Sequence, residues 1–427
     1  MTEIFYILIF PIFLLFLFQN NLFSKFGAKV FKVENETIDF PLLNIFIFLN
    51  VSLFLSISTL KIESIILILF AYLFFSSVIN FGTKKNFLHF KKFSILLVLF
   101  YIFSFYIVLN PDLGWDGKFH WYKKSLNFYQ NMGFENLSTL PKYEYPHLGS
   151  FLWAIFWKAV PIGHEYFGRL FYLFLYLISI FSIIDLIKNK TFKYFLFIAL
   201  SIICFNINHF LGNQDILVFS LVLILSRYMY LILEKEQSTL FNFLMFIFIN
   251  NIIFWIKYES IIYLVTTYLV IIVFKLIKKN YQYLYLIFLG FIFTLMYKFL
   301  IYNYFQVNFN ASFQFSGDYN LQLLFDLKVI IYKIFFIFKY YLISLFKNPI
   351  MIISYITIII LFLKNLKLSK ENLIIYLLLN LSTFFIFFII QSDFEWHVIN
   401  GIDRYMLQYS GFSILFIIIF ANKILKK

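Results

Sequence analysis

Residues 166–187 read YFGRLFYLFLYLISIFSIIDLI, an apolar run with two charged side chains, Arg169 and Asp185. A helix of about 20 apolar residues crosses the hydrocarbon core of a bilayer. Within lipid, backbone amides and carbonyls must be bonded inside their own segment, so such a run is expected to be helical. Further continuous apolar runs occur along the 427 residues. The sequence therefore predicts an all-α, polytopic integral membrane protein.

Composition favours the same fold class. Hydrophobic residues make up 62% of the chain and charged residues 13%, whereas soluble globular proteins have about 45–50% and about 25%. The mean hydropathy is +0.86. The first run, 4–18, lacks a basic start and a small-residue cleavage site, so we expect a retained span and not a signal peptide.

The formal net charge of +14 does not predict a nucleic-acid partner. The lysines lie at the ends of apolar runs, where the positive-inside rule places them. The single cysteine, Cys204, lies within an apolar run, so neither a disulfide framework nor a cysteine metal cluster is expected. The excess of Phe, Ile, Lys and Asn is typical of AT-rich bacterial genomes, and we expect a protein of the bacterial inner membrane.

The distribution of charge predicts the orientation of the chain. Lysine-rich connections are expected in the cytoplasm. Three other connections are expected outside: 111–147, which balances acids with lysines, and 304–326 and 392–403, which hold acids. These assignments agree only if two apolar segments, 148–161 and 327–346, lie flat at the outer membrane surface. Both carry Trp or Lys within their apolar pattern, which suits interfacial helices. The result is about 13 spans with the N-terminus outside.

Three parts of the chain follow from this topology. Residues 1–110 are expected to form N-terminal spans, and 111–165 an outer loop with a juxtamembrane helix. Residues 166–427 are expected to form a membrane core with outer loops near 304–346 and 392–403. Polar residues that could carry chemistry would then collect on the outer face.

The first outer loop holds the candidates for catalysis. Asp116 and His120 are four residues apart and would share a helix face, with Trp115 and Trp121 close by. A carboxylate at the membrane surface can take a proton from an acceptor hydroxyl, which is general-base catalysis. Asp112 is a second candidate for this base, and either Asp could instead cap a helix.

Arginine is rare in this chain and occurs at Arg169, Arg227 and Arg404. Arg169 and Arg404 open spans at the outer face, against the positive-inside trend. A guanidinium can bind phosphate in a bidentate way, so both are candidate phosphate ligands. Pairing with a neighbouring acid, such as Glu165 or Asp403, is the structural alternative.

Other polar residues are candidate substrate contacts. Glu144 and His147 flank Pro146, which would begin the interfacial helix, and both are expected near the lipid headgroups as substrate contacts or as anchors. Asp215 and Glu259 lie at outer span ends, where ionisable residues are functional candidates.

The remaining candidates lie at a turn and in the last outer loop. Lys257 and Glu259 mark a turn within a long apolar run and could bind a ligand or form a structural ion pair. The last loop offers Trp396, His397 and Asp403 as groups that could contact a sugar, although Trp also anchors proteins at membrane interfaces.

The order of these features resembles the C-type (GT-C) glycosyltransferases, multi-span enzymes that use sugars linked to polyprenyl phosphate. Relatives include protein O-mannosyltransferases and lipid A aminoarabinose transferases. The resemblance covers roughly 105–425 and is carried by short motifs in chain order: Trp115-Asp116 followed by His120, Tyr145-Pro146, Gly168-Arg169-Leu170, Lys257-Tyr258-Glu259 and Asp403-Arg404-Tyr405.

The resemblance implies transfer of a sugar from a polyprenyl-phosphate donor to a lipid, glycan or protein acceptor, with Asp116 as base and Arg404 and Lys257 at the phosphate. Some relatives use a divalent metal, Mg²⁺ or Mn²⁺, but the acids here are too scattered to assign one. The Asp112-x-x-x-Asp116 spacing departs from the family pattern and leaves open which Asp acts. About three spans precede this loop, where the family commonly has one.

Two other functions are compatible with a multi-span chain. A lipid-linked-sugar flippase or transporter predicts ionisable residues near span centres and spans broken by Gly or Pro. This chain has only 13 Gly and 7 Pro, which are too few to favour that function. A polysaccharide polymerase or ligase would favour several outer arginines, and here two are expected outside.

Overall fold

Helices dominate the part of the chain that the structure describes. This structure is a computed structural model, and in its described part the regular elements are helices and none is a strand, which confirms the predicted all-α class. The described residues are 2–19, 38–81, 93–140, 143, 145–233, 239–257, 259–279, 281–305, 326–363, 387 and 394–424.

The α-helices are numbered in chain order. They are α1 (Thr2–Gln19), α2 (Asp39–Ser56), α3 (Ile62–Phe81), α4 (Ser94–Leu109), α5 (Tyr122–Tyr129), α6 (Leu148–Ala159), α7 (Tyr166–Ile184), α8 (Lys190–Ile203), α9 (Asp215–Leu233), α10 (Leu240–Ile256), α11 (Ser260–Ile277), α12 (Leu284–Tyr304), α13 (Leu327–Lys347), α14 (Pro349–Leu363) and α15 (Phe394–Ile424). A π-helical turn, Gly117–Trp121, precedes α5, and a 3-10 turn, Ile207–Phe210, precedes α9.

Seven of the described helices are long and apolar enough to cross a membrane: α2, α7, α9, α11, α12, α13 and the stretch Phe394–Asn422 of α15. Six further described helices are apolar but have only 10–17 residues in their apolar part. The helical, membrane-compatible character of the chain is therefore supported. The count of about 13 spans stays a prediction.

The centre of the fold is α7, the stretch that decides the fold class. Every residue of α7 is buried, as expected for a helix that is apolar on all sides. It packs against α9, which in turn packs against α10 and α15. These central helices position the polar residues at their ends.

Residues 148–161, expected to lie flat at the membrane surface, form the 12-residue helix α6. Its length of roughly 18 Å is short of the roughly 30 Å of a hydrocarbon core. Trp153 and Trp157 are not surface anchors, however, because both are buried. Their indole N–H groups donate to the carbonyls of Glu165, at 2.9 Å, and Gly163, at 2.7 Å. These tryptophans therefore fasten α6 to the start of α7.

Gly168 permits this close contact between α6 and α7. A Cβ at position 168 would lie 2.0 Å from Trp153 Cδ1 and 2.6 Å from the Trp153 carbonyl oxygen. The indole is buried and hydrogen-bonded, so it has little room to move. A side chain at this position must push the two helices apart.

We expect Gly168→Ala to lower the free energy of unfolding by about 1–3 kcal/mol, the usual cost of overpacking. Thermal unfolding of the purified protein in detergent would show this as a lower Tm. Gly133→Ala is the matched control, because the atom nearest its new Cβ would lie 3.8 Å away. Equal Tm values for the two variants would contradict this account of α6 and α7.

The last predicted outer loop, 392–403, is helical where the structure describes it, so its predicted loop structure is wrong. Residues 394–403 form the first turns of α15. Phe394, Val398 and Ile402 recur every four residues and are buried, which gives this polar-looking stretch an apolar helix face. Most of the predicted loop near 304–326 lies outside the described residues, and 327–347 is the helix α13.

Arg227, near the opposite end of α9 from Asp215, is buried in an ion pair. Its guanidinium donates to Asp39 Oδ1 at 3.1 Å and to the Ser182 carbonyl at 2.6 Å. Asp39 opens α2 and Ser182 lies near the end of α7. Arg227 therefore ties α2, α7 and α9 together at the end of the bundle where the lysine-rich connections are predicted.

Candidate active site

The predicted first outer loop packs against the loop that precedes α9. This contact places the first outer loop over the start of α9. The Gly114 amide donates to the Leu211 carbonyl at 2.9 Å. A Cβ at Gly117 would lie 2.3 Å from the same oxygen, so glycine allows the close approach. Asp116 is thereby held near the N-terminus of α9, where Asp215 is the first residue.

Asp215 is the centre of a buried polar cluster. Its Oδ1 accepts hydrogen bonds from Lys257 Nζ and from Gln408 Nε2, both at 2.6 Å. Its Oδ2 accepts from Arg404 Nε at 2.9 Å. Donors from the end of α10 and from α15 thus converge on one carboxylate, which orients both cations.

Arg404 connects this buried carboxylate to the first outer loop. While its Nε bonds Asp215, its NH1 lies 2.6 Å from Asp116 Oδ2. The side chains of Asp215 and Lys257 are 3% and 4% exposed, whereas those of Asp116 and Arg404 are 25% and 38% exposed. The charge cluster, defined as Asp116, Arg404, Asp215 and Lys257, therefore has one accessible end, formed by Asp116 and Arg404.

The charges of this cluster balance, with two carboxylates against two cations. An incoming phosphate must therefore compete with a carboxylate for a cation. The Asp116–Arg404 pair is the accessible one, and partly exposed ion pairs are weak. Phosphate contact is consequently favoured at Arg404, while Lys257 lies behind Asp215.

Glu259 lies close to the cluster and adds negative charge beside it. Its carboxylate interacts with Arg404 and with the hydroxyls of Tyr263 and Tyr405. The turn between α10 and α11, at 257–259, agrees with the predicted break in the long apolar run. Lys257 forms its buried ion pair with Asp215, where the sequence had offered Glu259 as a structural partner.

Asp112 and His120 accompany the cluster in different ways. Asp112 is exposed, in the extended segment before the helical turn. The His120 ring packs against Trp115, with centroids 5.2 Å apart, and against Tyr145 at 6.1 Å. The structure therefore places Asp116, of these three candidates, in an ion pair with Arg404.

Arg169, a predicted phosphate contact, lies in a buried set of protein contacts. Its side chain is fully buried and pairs with Glu165, NH2 to Oε1 at 2.5 Å. It also donates to the carbonyls of Pro111, at 3.0 Å, and Phe210, at 3.3 Å. This arginine ties both site loops to α7, which is the structural alternative considered from the sequence.

His147 is a buried core residue, whereas the sequence predicted a position near the lipid headgroups. Its Nε2 shares a hydrogen bond with the Ser56 hydroxyl at 2.7 Å, and its ring lies 5.5 Å from that of Trp255. Burial, and then the positive charges of Lys124 and Lys298, hold the pKa of His147 well below its usual range. Its candidate neighbour Glu144 lies outside the described residues.

A neutral, buried His147 predicts loss of stability in mild acid. The unfolded chain takes up a proton near the ordinary histidine pKa of about 6.5, whereas the folded chain resists it. Stability should therefore fall as the pH drops below about 6.5, by at most about 1.4 kcal/mol per pH unit from this residue. Thermal unfolding between pH 8 and pH 5 would show a shallower slope for His147→Gln, and equal slopes would contradict the prediction.

The candidates on α15 other than Arg404 lie away from the charge cluster. Asp403 is exposed and pairs with Lys347 at the end of α13, at 3.2 Å. Trp396 is 61% exposed and its ring contacts that of His397. The predicted substrate contacts Trp396, His397 and Asp403 therefore lie on the first turns of α15.

Gln408 is a member of the site that sequence reasoning missed. It lies four residues after Arg404 on α15 and is fully buried. A lone amide one helical turn from an unusual arginine, within an apolar run, is the signal that could have found it.

A divalent metal is a poor fit to the described residues of the charge cluster. Among the described residues, no group of three His, Cys, Asp or Glu side chains could hold an ion. Asp116 and Asp215 instead share Arg404 between them.

Comparisons with known proteins add no identity: no family model, no curated protein and no solved structure matches this chain.

Proposed function

We propose that this protein is a membrane glycosyltransferase that moves a sugar from a polyprenyl-phosphate donor to a lipid, glycan or protein acceptor at the outer face. The observation that carries the proposal is the ion-pair chain from Asp116 through Arg404 and Asp215 to Lys257. It joins a partly exposed carboxylate and a partly exposed guanidinium, which are the two groups that this reaction needs.

In the proposed reaction, an acceptor hydroxyl oxygen attacks the anomeric carbon of the donor sugar. Asp116 takes the hydroxyl proton as general base. The bond between that carbon and the phosphate oxygen breaks, and polyprenyl phosphate leaves with the bonding electrons. Arg404 stabilises the charge on the leaving phosphate, an effect of several kcal/mol, roughly, where water is excluded.

The ion pair between Asp116 and Arg404 gives the proposed reaction an order. Arg404 NH1 lies 2.6 Å from Asp116 Oδ2. A donor phosphate that draws this nitrogen to itself frees the Asp116 oxygen for the acceptor proton. Arg404 stays in register because its Nε is held by Asp215. We therefore propose that donor binding activates the base.

The length of α15 is compatible with a site at the membrane surface. The helix has 31 residues and is about 46 Å long, more than the roughly 30 Å of a hydrocarbon core. The part from Arg404 onward is about 31 Å long and fits the core. Residues 394–403 then extend outward, with the charge cluster at the membrane surface.

Helix α13 packs beside the first turns of α15. Its Tyr332 hydroxyl donates to Glu395 and its Lys347 pairs with Asp403. Both acceptors precede Arg404 on α15, so α13 lies beside the outward extension. With α13 and α6 flat at the surface, the proposed topology has about 13 spans, an outside N-terminus and a site facing the periplasm of a bacterium.

A lipid-linked-sugar flippase or transporter is the second candidate, and one observation favours it. Lys298 is buried within the apolar helix α12. Its ammonium donates to the Phe254 carbonyl at 2.9 Å and lies over the Phe254 ring at 3.8 Å. Ionisable residues buried within spans are typical of transport pathways.

Membranes of the native cell and of a strain lacking this gene distinguish the candidates. Each is supplied with radiolabelled polyprenyl-phosphate sugars, and the label is followed into lipid, glycan and protein. The transferase predicts that label from at least one donor reaches an acceptor only where the protein is present. Equal transfer in both strains for every donor, or movement of intact donor across the membrane without cleavage, would contradict it.

A further inference from the structure

A groove lies between α13 and residues 394–403 of α15. These residues come directly before Arg404 of the charge cluster in the chain. Its volume is about 620 Å³, within the range of small-ligand sites. It has aromatic faces together with hydrogen-bonding and charged groups. The lining side chains that matter below are Tyr332, Lys333, Phe394, Glu395, Trp396 and Asn400.

The aromatic faces of the groove are accessible. Trp396 is 61% exposed and Tyr332 is 48% exposed. Flat aromatic faces pack well against the C–H faces of sugar rings. The Tyr332 hydroxyl donates to the Glu395 carboxylate, which fixes the orientation of both side chains.

The charges in the groove favour an uncharged ligand. The accessible charged group is the carboxylate of Glu395, which is exposed and repels anions. Lys333 is buried, with its ammonium over the Phe394 ring at 5.0 Å, so it does not present a cation at the mouth. Glu395 and Asn400 can hydrogen-bond sugar hydroxyls.

One side of α15 connects the groove with the accessible end of the charge cluster. Trp396, Asn400 and Arg404 follow one another at intervals of four residues on α15. Each interval rises about 6 Å along the helix axis. A sugar chain that stacks on Trp396 and passes Asn400 therefore points its end at Arg404 and its partner Asp116.

We propose that this groove binds an uncharged oligosaccharide, the acceptor glycan of the transfer reaction. The role as acceptor rests on the proposed function, whereas the binding of the oligosaccharide does not. Stacking on Trp396 and Tyr332 holds the chain, and hydrogen bonds to Glu395 and Asn400 set its register. A terminal hydroxyl is thereby directed to Asp116.

Saturation-transfer NMR on the full-length protein in nanodiscs tests this binding. The probes are chitotetraose, cellotetraose, maltotetraose and α-linked mannotetraose. We expect at least one of them to bind the wild-type protein, and Trp396→Ala to weaken that binding by about tenfold or more, as for other aromatic anchors. Phe335→Ala is the matched control, since Phe335 lies on α13, is 70% exposed and does not line the groove.

Three results would overturn the proposal. They are no binding of any probe to the wild-type protein, equal binding by Trp396→Ala, and displacement of the bound probe by short-chain phosphatidylglycerol, which would identify a lipid headgroup site. A Tm equal to wild type shows that Trp396→Ala is folded. In the wild-type protein, Trp396-dependent binding of a probe together with no detectable sugar transfer would uphold the groove and refute the transferase.

Discussion

Replacing Asp116 with asparagine is expected to reduce sugar transfer by about 10²–10⁴-fold, the usual contribution of a general base. Asparagine keeps the shape of the side chain but cannot take the proton of the acceptor hydroxyl. The measurement is the rate of label transfer from a polyprenyl-phosphate sugar in membranes of the deletion strain that carry the variant. Binding of the donor should not weaken, because the phosphate no longer competes with a carboxylate at position 116 for Arg404, so the loss should appear in kcat.

Asp112→Asn is the matched control for this experiment. Asp112 is exposed and lies four residues earlier in the same loop, and we expect its variant to keep nearly full transfer. Asp116→Asn should also keep a near-native Tm, because a partly exposed ion pair contributes only about 0–1 kcal/mol. Full transfer by Asp116→Asn, or loss of transfer by Asp112→Asn instead, would show that Asp116 is not the base.

Asp215→Asn is expected to destabilise the protein by about 3–5 kcal/mol, the cost of breaking a buried ion pair. The substitution removes the negative charge between Lys257 and Arg404 and leaves Lys257 buried without a counter-ion beside it. Thermal unfolding in detergent should show a large fall in Tm. Transfer by the fraction that still folds should also fall, because Arg404 loses the bond that orients it.

Asp403→Asn provides the comparison for Asp215. Asp403 also pairs with a lysine, but this pair is exposed and should contribute at most about 1 kcal/mol. A nearly unchanged Tm is expected for Asp403→Asn. If the two variants unfold at the same temperature, Asp215 is not the buried centre of the cluster.

Much of the architecture could be predicted because lipid restricts what a chain can do. The apolar run at 166–187 has few alternatives to a helix, and it forms the buried centre of the fold. The break at 257–259 could be predicted for the same reason, because the apolar run that contains it is too long for one crossing. Composition and span length carry this information locally.

The contacts within the site could be predicted only in part. Topology placed Asp116, Lys257 and Arg404 on one side, and the structure joins them through Asp215. That residue was expected to contact substrate because it lies at a span end. Its contact with Arg404 joins positions 189 apart in the chain, and such long-range pairing has no local signature.

Local environment explains the predictions that were wrong. His147 and Arg169 looked like surface groups because both lie beside an expected membrane boundary. His147 is buried against Ser56 at the end of α2 and Trp255 at the end of α10. Arg169 is buried at the start of α7, where Glu165 is its partner. The polar residues at 394–403 resembled a loop. This segment is nevertheless helical, because an apolar residue at every fourth position gives it a buried helix face.

The most direct test of the central claim is a cryo-EM map of the full-length protein with a polyprenyl-phosphate sugar bound. The account predicts the donor phosphate at about 2.7–2.9 Å from the Arg404 guanidinium, the distance of a charge-assisted hydrogen bond, with the anomeric carbon facing Asp116. The Asp116–Arg404 contact should be broken in that map. A phosphate bound elsewhere, for example beside Arg227 at the other end of α9, would contradict the account.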